Sequence, residues 1–114
     1  MASAEECREA LQKLTGRFTE MNAKDRASFF SDRSMSCEVT DLGVTFVTRF
    51  TADGTDPVRE ASPDEPPADI RLAAASDDVL HLAESPANIA RMWVAGKVKV
   101  HASMRDLLAL RKLL

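Results

Sequence analysis

The sequence predicts an α+β domain in two layers, a mainly antiparallel sheet with helices on one face. Three observations predict it. Apolar residues recur with helical period near the N-terminus, then switch to alternation around residue 34. Turn chemistry separates the alternating stretches. Each strand carries one apolar and one polar face, so helices are expected on a single side.

The chain has 114 residues, the size of one ordinary domain, and is read as one unit over 1–114. Hydrophobic residues make up 45% and charged residues 29%, which fits a folded globular chain rather than a disordered one. The net charge is -3 and the basic residues are scattered, so no nucleic-acid stripe is expected. No apolar run approaches the roughly 18 residues that span a bilayer. The N-terminus does not read as a secretory leader and Lys112-Leu113-Leu114 is not a peroxisomal address, so the expected location is the cytoplasm. Cys7 and Cys37 belong to no Cys-x-x-Cys pair and read as buried thiols behaving as small hydrophobes.

Ser3-Ala-Glu-Glu6 is a capping-box pattern that opens the first helix. Cys7, Ala10, Leu11, Leu14, Phe18 and Met21 fall on one stripe of it. Phe29 and Phe30 suggest a short further helical piece. Met35, Cys37 and Val39 then alternate with Ser34, Ser36, Glu38 and Thr40, as a one-faced strand does. Asp41-Leu-Gly43 supplies a turn, and Val44, Phe46 and Phe50 continue the alternation. Asp53-Gly54 signals a hairpin, with a short edge strand near residues 57–61. The proline-rich stretch 62–67 cannot join a ladder and reads as an exposed loop.

Ala68–Ala74 reads as the next strand. Ser76 ahead of Asp77-Asp78 suits a helix start. Ser85-Pro86 opens another helix that stops at Gly96. Lys97–Ala102 reads as a strand, and Ser103-Met-Arg-Asp106 is a second capping box before the last helix.

These residues carry a family resemblance. An Ala68-Asp strand leads to an acidic helix start at Ser76-Asp-Asp. An aromatic helix then runs into Gly96-Lys-Val-Lys-Val100, and a Met104-led amphipathic helix closes the chain. The order resembles the sterol-carrier-protein (non-specific lipid-transfer) family, in its short free-standing bacterial form. The resemblance implies a five-stranded sheet covered on one side by helices. It also implies an apolar tunnel between the layers for a fatty acyl chain, a sterol or a similar ligand. Glu84-Ser85 and Trp93-Val94 depart from better-studied members, which bears on the ligand more than on the fold.

If such a tunnel exists, its walls come from the apolar faces. The strands offer Met35, Val39, Phe46, Phe50, Ile70 and Leu72. The helices offer Met92, Trp93, Met104, Leu107 and Leu108. The plain alternative for each is solid core. An empty void of about 300 Å³ would cost about 7 kcal/mol, comparable to a small domain's whole stability, so such a site should be collapsed, wet or filled. A sixteen-carbon chain could supply about 12 kcal/mol of burial before binding costs. Arg111 falls inside the apolar arc of the last helix and could meet a ligand carboxylate or phosphate. Its alternative is to snorkel to solvent.

No catalytic set is expected. His81 and His101 fall on polar faces, with no Cys, His and acid converging. Lys97, Lys99 and His101 form a small basic edge, compatible with at most transient contact with a membrane surface. No cofactor or metal is implied. Two functions follow from this reading. The first is a non-enzymatic carrier of a hydrophobic small molecule. The second is a protein–protein interaction or accessory module that uses an apolar groove without transferring lipid.

Overall fold

Ser3 and Glu6 open the first helix as a reciprocal cap. The Ser3 N–H donates to Glu6 Oε1 and the Glu6 N–H to Ser3 Oγ, each at 3.1 Å. The structure is a computed structural model that describes residues 2–21, 33–51, 54–84 and 87–113. The suggested helical piece at Phe29 and Phe30 lies outside the described residues, as do Asp53, Ser85 and Pro86. Helix α1 spans Ala4–Met21. Cys7, Ala10, Leu11 and Leu14 are buried on its inner stripe. Thr15 is buried among them, and its hydroxyl donates to the Gln12 carbonyl at 3.0 Å.

Strand β1 (Arg33–Val39) pairs antiparallel with β2 (Val44–Thr51). The turn between them carries Gly43 at φ 67°, a left-handed conformation that glycine adopts without strain. The edge strand comes in two pieces, β3 (Gly54–Thr55) and β4 (Arg59–Glu60), both antiparallel to β2. Pro57 sits in the gap and has no N–H to give. The Val58 N–H turns inward instead and donates to Gln12 Oε1 of α1 at 2.8 Å.

Strand β5 (Ile70–Ala74) lies parallel to β1, and β6 (Lys99–His101) lies antiparallel to β5. The sheet order is β3-β2-β1-β5-β6, with β4 beside β3 on the same edge of β2. The mainly antiparallel, five-position sheet agrees with the sequence reading, with β1–β5 as its one parallel pair among the described strands.

The last strand is shorter than its alternation suggests. The Lys97 and Val98 N–H groups both turn to the Met92 carbonyl, at 2.8 and 3.3 Å. They close the C-terminus of the preceding helix and are spent before the ladder begins. Helices α2 (Ser76–Glu84) and α3 (Ala87–Val94) follow β5, and α4 (Met104–Leu113) follows β6. Helix α1 packs on α2, and α2 on α3. Cys7, Leu14, Val79, Leu82 and Ile89 from these helices share one core with the inner sheet face.

The loop at 62–67 is exposed, as expected, and it extends through Ala68 and Asp69, which were expected to be strand; the whole 61–69 segment has a definite course. It leaves β4 on one side of β2 and enters β5 on the far side of β1, so it must cross the sheet. It crosses the face opposite the helices, beside Ser36, Val47 and Arg71.

Candidate functional site

The inner sheet face is an apolar floor. Met35 and Val39 from β1, Phe46 and Phe50 from β2, and Ile70 and Leu72 from β5 are all buried. Register places them together, because directly paired residues share a face: Cys37 lies opposite Phe46 and beside Leu72, and Met35 lies beside Ile70. Cys37 therefore holds the centre of the floor, a position the sequence marked only as buried. Burial pushes its thiol up to about 12, so it stays protonated at neutral pH. Burial also raises the Cys7 thiol.

The helices contribute unevenly. Met92 is buried and Trp93 is half-buried against the core. Leu107 is half-buried. Met104 is 72% exposed and Leu108 53% exposed, unlike the inward-facing arc that the helical wheel suggested. The reason is Asp106. It is buried, and its Oδ1 accepts from Arg33 Nε at 3.1 Å. Residues two positions apart on a helix point about 200° from one another. With Asp106 turned in, Met104 and Leu108 turn out. Arg111 lies within α4, and its side chain is outside the described residues.

Polar clasps close both ends of the floor. At one end Asp41 accepts from the Ser76 N–H at 2.8 Å and from its hydroxyl at 2.7 Å. Ser76 thus lies within the first turn of α2, and the capping carboxylate comes from the β1–β2 turn. The Ala2 N–H adds a donor to Ser76 Oγ at 3.2 Å. The Ser76 hydroxyl, and then its N–H, hold the Asp41 carboxyl below the usual range.

At the other end Asp69 accepts from the Ser34 N–H and hydroxyl at 3.0 and 3.2 Å, and its own N–H donates back to Ser34 Oγ at 2.9 Å. The Ser34 N–H is the main cause that lowers the Asp69 carboxyl. Arg33 faces Asp106 at this same end. Sequence reasoning missed that ion pair. A signal existed: Arg33 shares its alternation with Met35, Cys37 and Val39, so it belongs to the inner face.

The arrangement suits apolar contact. His81 is exposed beside Glu84 at 3.5 Å, and His101 is exposed on β6. Among the described residues no group of three or more His, Cys, Asp or Glu could hold a metal ion. Among them, too, no helix is long and apolar enough to cross a membrane.

Comparison with known proteins supplies the family. The SCP-2 sterol transfer family model matches residues 2–114. No curated protein sequence matches this one. Several solved structures share the fold. The sterol carrier protein domain 2 of Helicoverpa armigera has a TM-score of 0.67 at 15% identity, covering 98% of this chain and 89% of that one. The UbiJ-SCP2 ubiquinone synthesis protein has a TM-score of 0.61 at 15% identity, covering 99% and 92%. Palmitated SCP2L2 from Aedes aegypti has a TM-score of 0.60 at 13% identity, covering 98% and 95%. At such identities these likenesses speak for the fold alone. The family-model match covers nearly the whole length, and the chain belongs to the SCP-2 sterol transfer family.

Proposed function

We propose that this protein is a non-enzymatic carrier that holds a fatty acyl chain, a sterol or a similar hydrophobic ligand between its sheet and its helices. The observation that carries the reading is the floor: six apolar side chains from three adjacent strands, all on one face and all shielded from water. Met35, Val39, Phe46, Phe50, Ile70 and Leu72 form the sheet side of the site, with Met92 and Trp93 beside them. Leu107, half-buried, offers the α4 side, while Met104 and Leu108 face solvent beside it. Such a ligand gains roughly 0.8 kcal/mol per buried methylene and needs no polar constellation. The palmitated Aedes aegypti relative supports an acyl chain as the ligand.

The test uses Trp93. Titration with palmitate shifts its emission saturably, and native mass spectrometry of the purified protein shows a retained lipid mass. Flat emission together with a lipid-free mass would overturn the carrier reading. The exposed Val94, Met104 and Leu108 favour one second reading, a protein-docking accessory module. A stable protein complex with no bound lipid is its distinguishing outcome.

A further inference from the structure

The sheet has a second built space on the face away from the helices. Register puts Thr45 and Val47 of β2, Ser36 of β1 and Arg71 of β5 on that face: Val47 lies opposite Ser36, and Ser36 lies beside Arg71. The 61–69 segment roofs it and is tied down along its length. The Ala61 N–H donates to the Thr45 carbonyl at 2.8 Å. Arg59, opposite Val47, pairs with Glu65 at 2.8 Å. The Glu65 N–H closes a turn onto the Ser62 carbonyl at 3.1 Å. Asp69 clasps Ser34 where the segment rejoins the sheet. Pro63, Pro66 and Pro67 fix their own φ angles and bring apolar rings, so the roof is stiff before anything binds.

The segment and the sheet border an open cleft of about 350 Å³, within the range of roughly 300–1,000 Å³ typical of small-molecule sites. The charges are arranged along its length. Arg71 stands at one end, exposed, and forms no ion pair among the described residues. Its direct cross-strand neighbours are Ser36 and His101, so no carboxylate lies opposite it. The carboxylate of Asp69, two residues away, is engaged by Ser34. Glu38 lies one row further along β1, opposite Thr45 and beside Ala73. Of the acids lining the cavity, Glu60 belongs to β4, three strand spacings or about 14 Å from β5, and Glu65 is paired with Arg59. The space between is mixed: Val47 and the prolines bring apolar surface, and Ser36, Thr45 and Ser62 bring hydroxyls.

We propose that this outer-face cavity is a second ligand site, taking a small carboxylic acid with a compact apolar ring. The carboxylate pairs with the Arg71 guanidinium and accepts from the Ser36 hydroxyl, and the ring lies between Val47 and the proline roof. The sheet separates this site from the inner floor, so the two fill independently.

The test is an amide NMR titration of the whole protein with 1-naphthoate, and with 1-naphthol as its neutral counterpart. Naphthoate produces saturable shifts at Ser36, Val47 and Arg71, and these persist in protein preloaded with palmitate. Arg71→Gln, at an exposed position, leaves the ligand-free spectrum folded. It weakens naphthoate at least about tenfold and leaves naphthol within twofold. Shifts confined to inner-face residues, displacement by palmitate, equal weakening of acid and alcohol, or no saturable shift would each overturn the proposal. Loss of the palmitate response alone, with the outer-face shifts intact, would instead count against the carrier reading.

Discussion

Arg33 Nε donates to Asp106 Oδ1 at 3.1 Å, joining the first residue of β1 to the first turn of the C-terminal helix across 73 positions of sequence. The Asp106 N–H in turn donates to Ser103 Oγ at 3.2 Å. The box at Ser103 is therefore half a capping box. Its hydroxyl caps the helix as expected, while its acid reaches for the sheet. This pair fixes the rotation of α4 and decides which apolar residues meet solvent.

Removing one partner leaves the other charge poorly solvated, because the Asp106 side chain is only 8% exposed. Arg33 is about one-third exposed, so the penalty stays below that of a fully buried pair. Arg33→Gln should lower stability by about 1–2 kcal/mol. A double-mutant cycle with Asp106→Asn, read by urea unfolding, should show a coupling of about 0.5–1.5 kcal/mol. Additive losses would mean that the pair does not hold the helix.

Asp41 predicts an acid dependence. Its carboxyl is lowered on folding by the Ser76 hydroxyl and N–H. The unfolded chain therefore takes up this proton at a higher pH than the folded one, and stability rises with pH across that window. The contribution is complete above the unfolded value of about 3.9 and is lost as pH falls through the lower folded value. Asp69 and Glu6 are lowered as well and act in the same direction. Asp41→Asn should be less stable than the parent at pH 7. The gap should narrow as pH falls from about 5 towards 2. Urea midpoints measured across that range check it, and a constant gap would show that Asp41 does not titrate in this way.

The same residues mark what sequence reading could reach. The reciprocal cap at Ser3 and Glu6, the alternation through Met35, Cys37 and Val39, and the stop at Gly96 were legible because each is a local pattern with a fixed period or offset. The start of α2 at Ser76 was legible too, but its capping partner was not. The acid that caps it lies 35 residues away in a turn, and no local period links the two. Lys97 and Val98 look like strand by alternation, yet their N–H groups serve the preceding helix. On α4, one buried acid outweighed the apolar arc of Met104 and Leu108. The sheet floor was read well because alternation assigns a face directly. The helical side was read less well because rotation about a helix axis depends on its partners.

Cys37 predicts chemical silence. Its thiol is pushed up to about 12 by burial, so almost none is thiolate at pH 8. Native protein should leave both cysteines unmodified by a thiol reagent at pH 8 over a time in which urea-unfolded protein reacts fully. Prompt labelling of Cys37 in the native state would show that the floor opens to water far more often than a packed face allows.

Arg111 offers the sharpest test of how a ligand is oriented, and it rests on the carrier reading. Helical spacing sets it one turn beyond Leu107, the half-buried residue of α4 that the carrier reading places beside the ligand. A guanidinium there selects an acid over a neutral lipid of equal length, because only the acid offers a charged acceptor. Arg111→Ala should therefore weaken palmitate about five- to tenfold and leave hexadecanol nearly unchanged, at about 1–1.4 kcal/mol for the charged contact. Trp93 emission reports both titrations. Equal weakening of the two lipids would assign Arg111 to packing alone. Stronger binding of both after the substitution would count against a ligand role for the guanidinium.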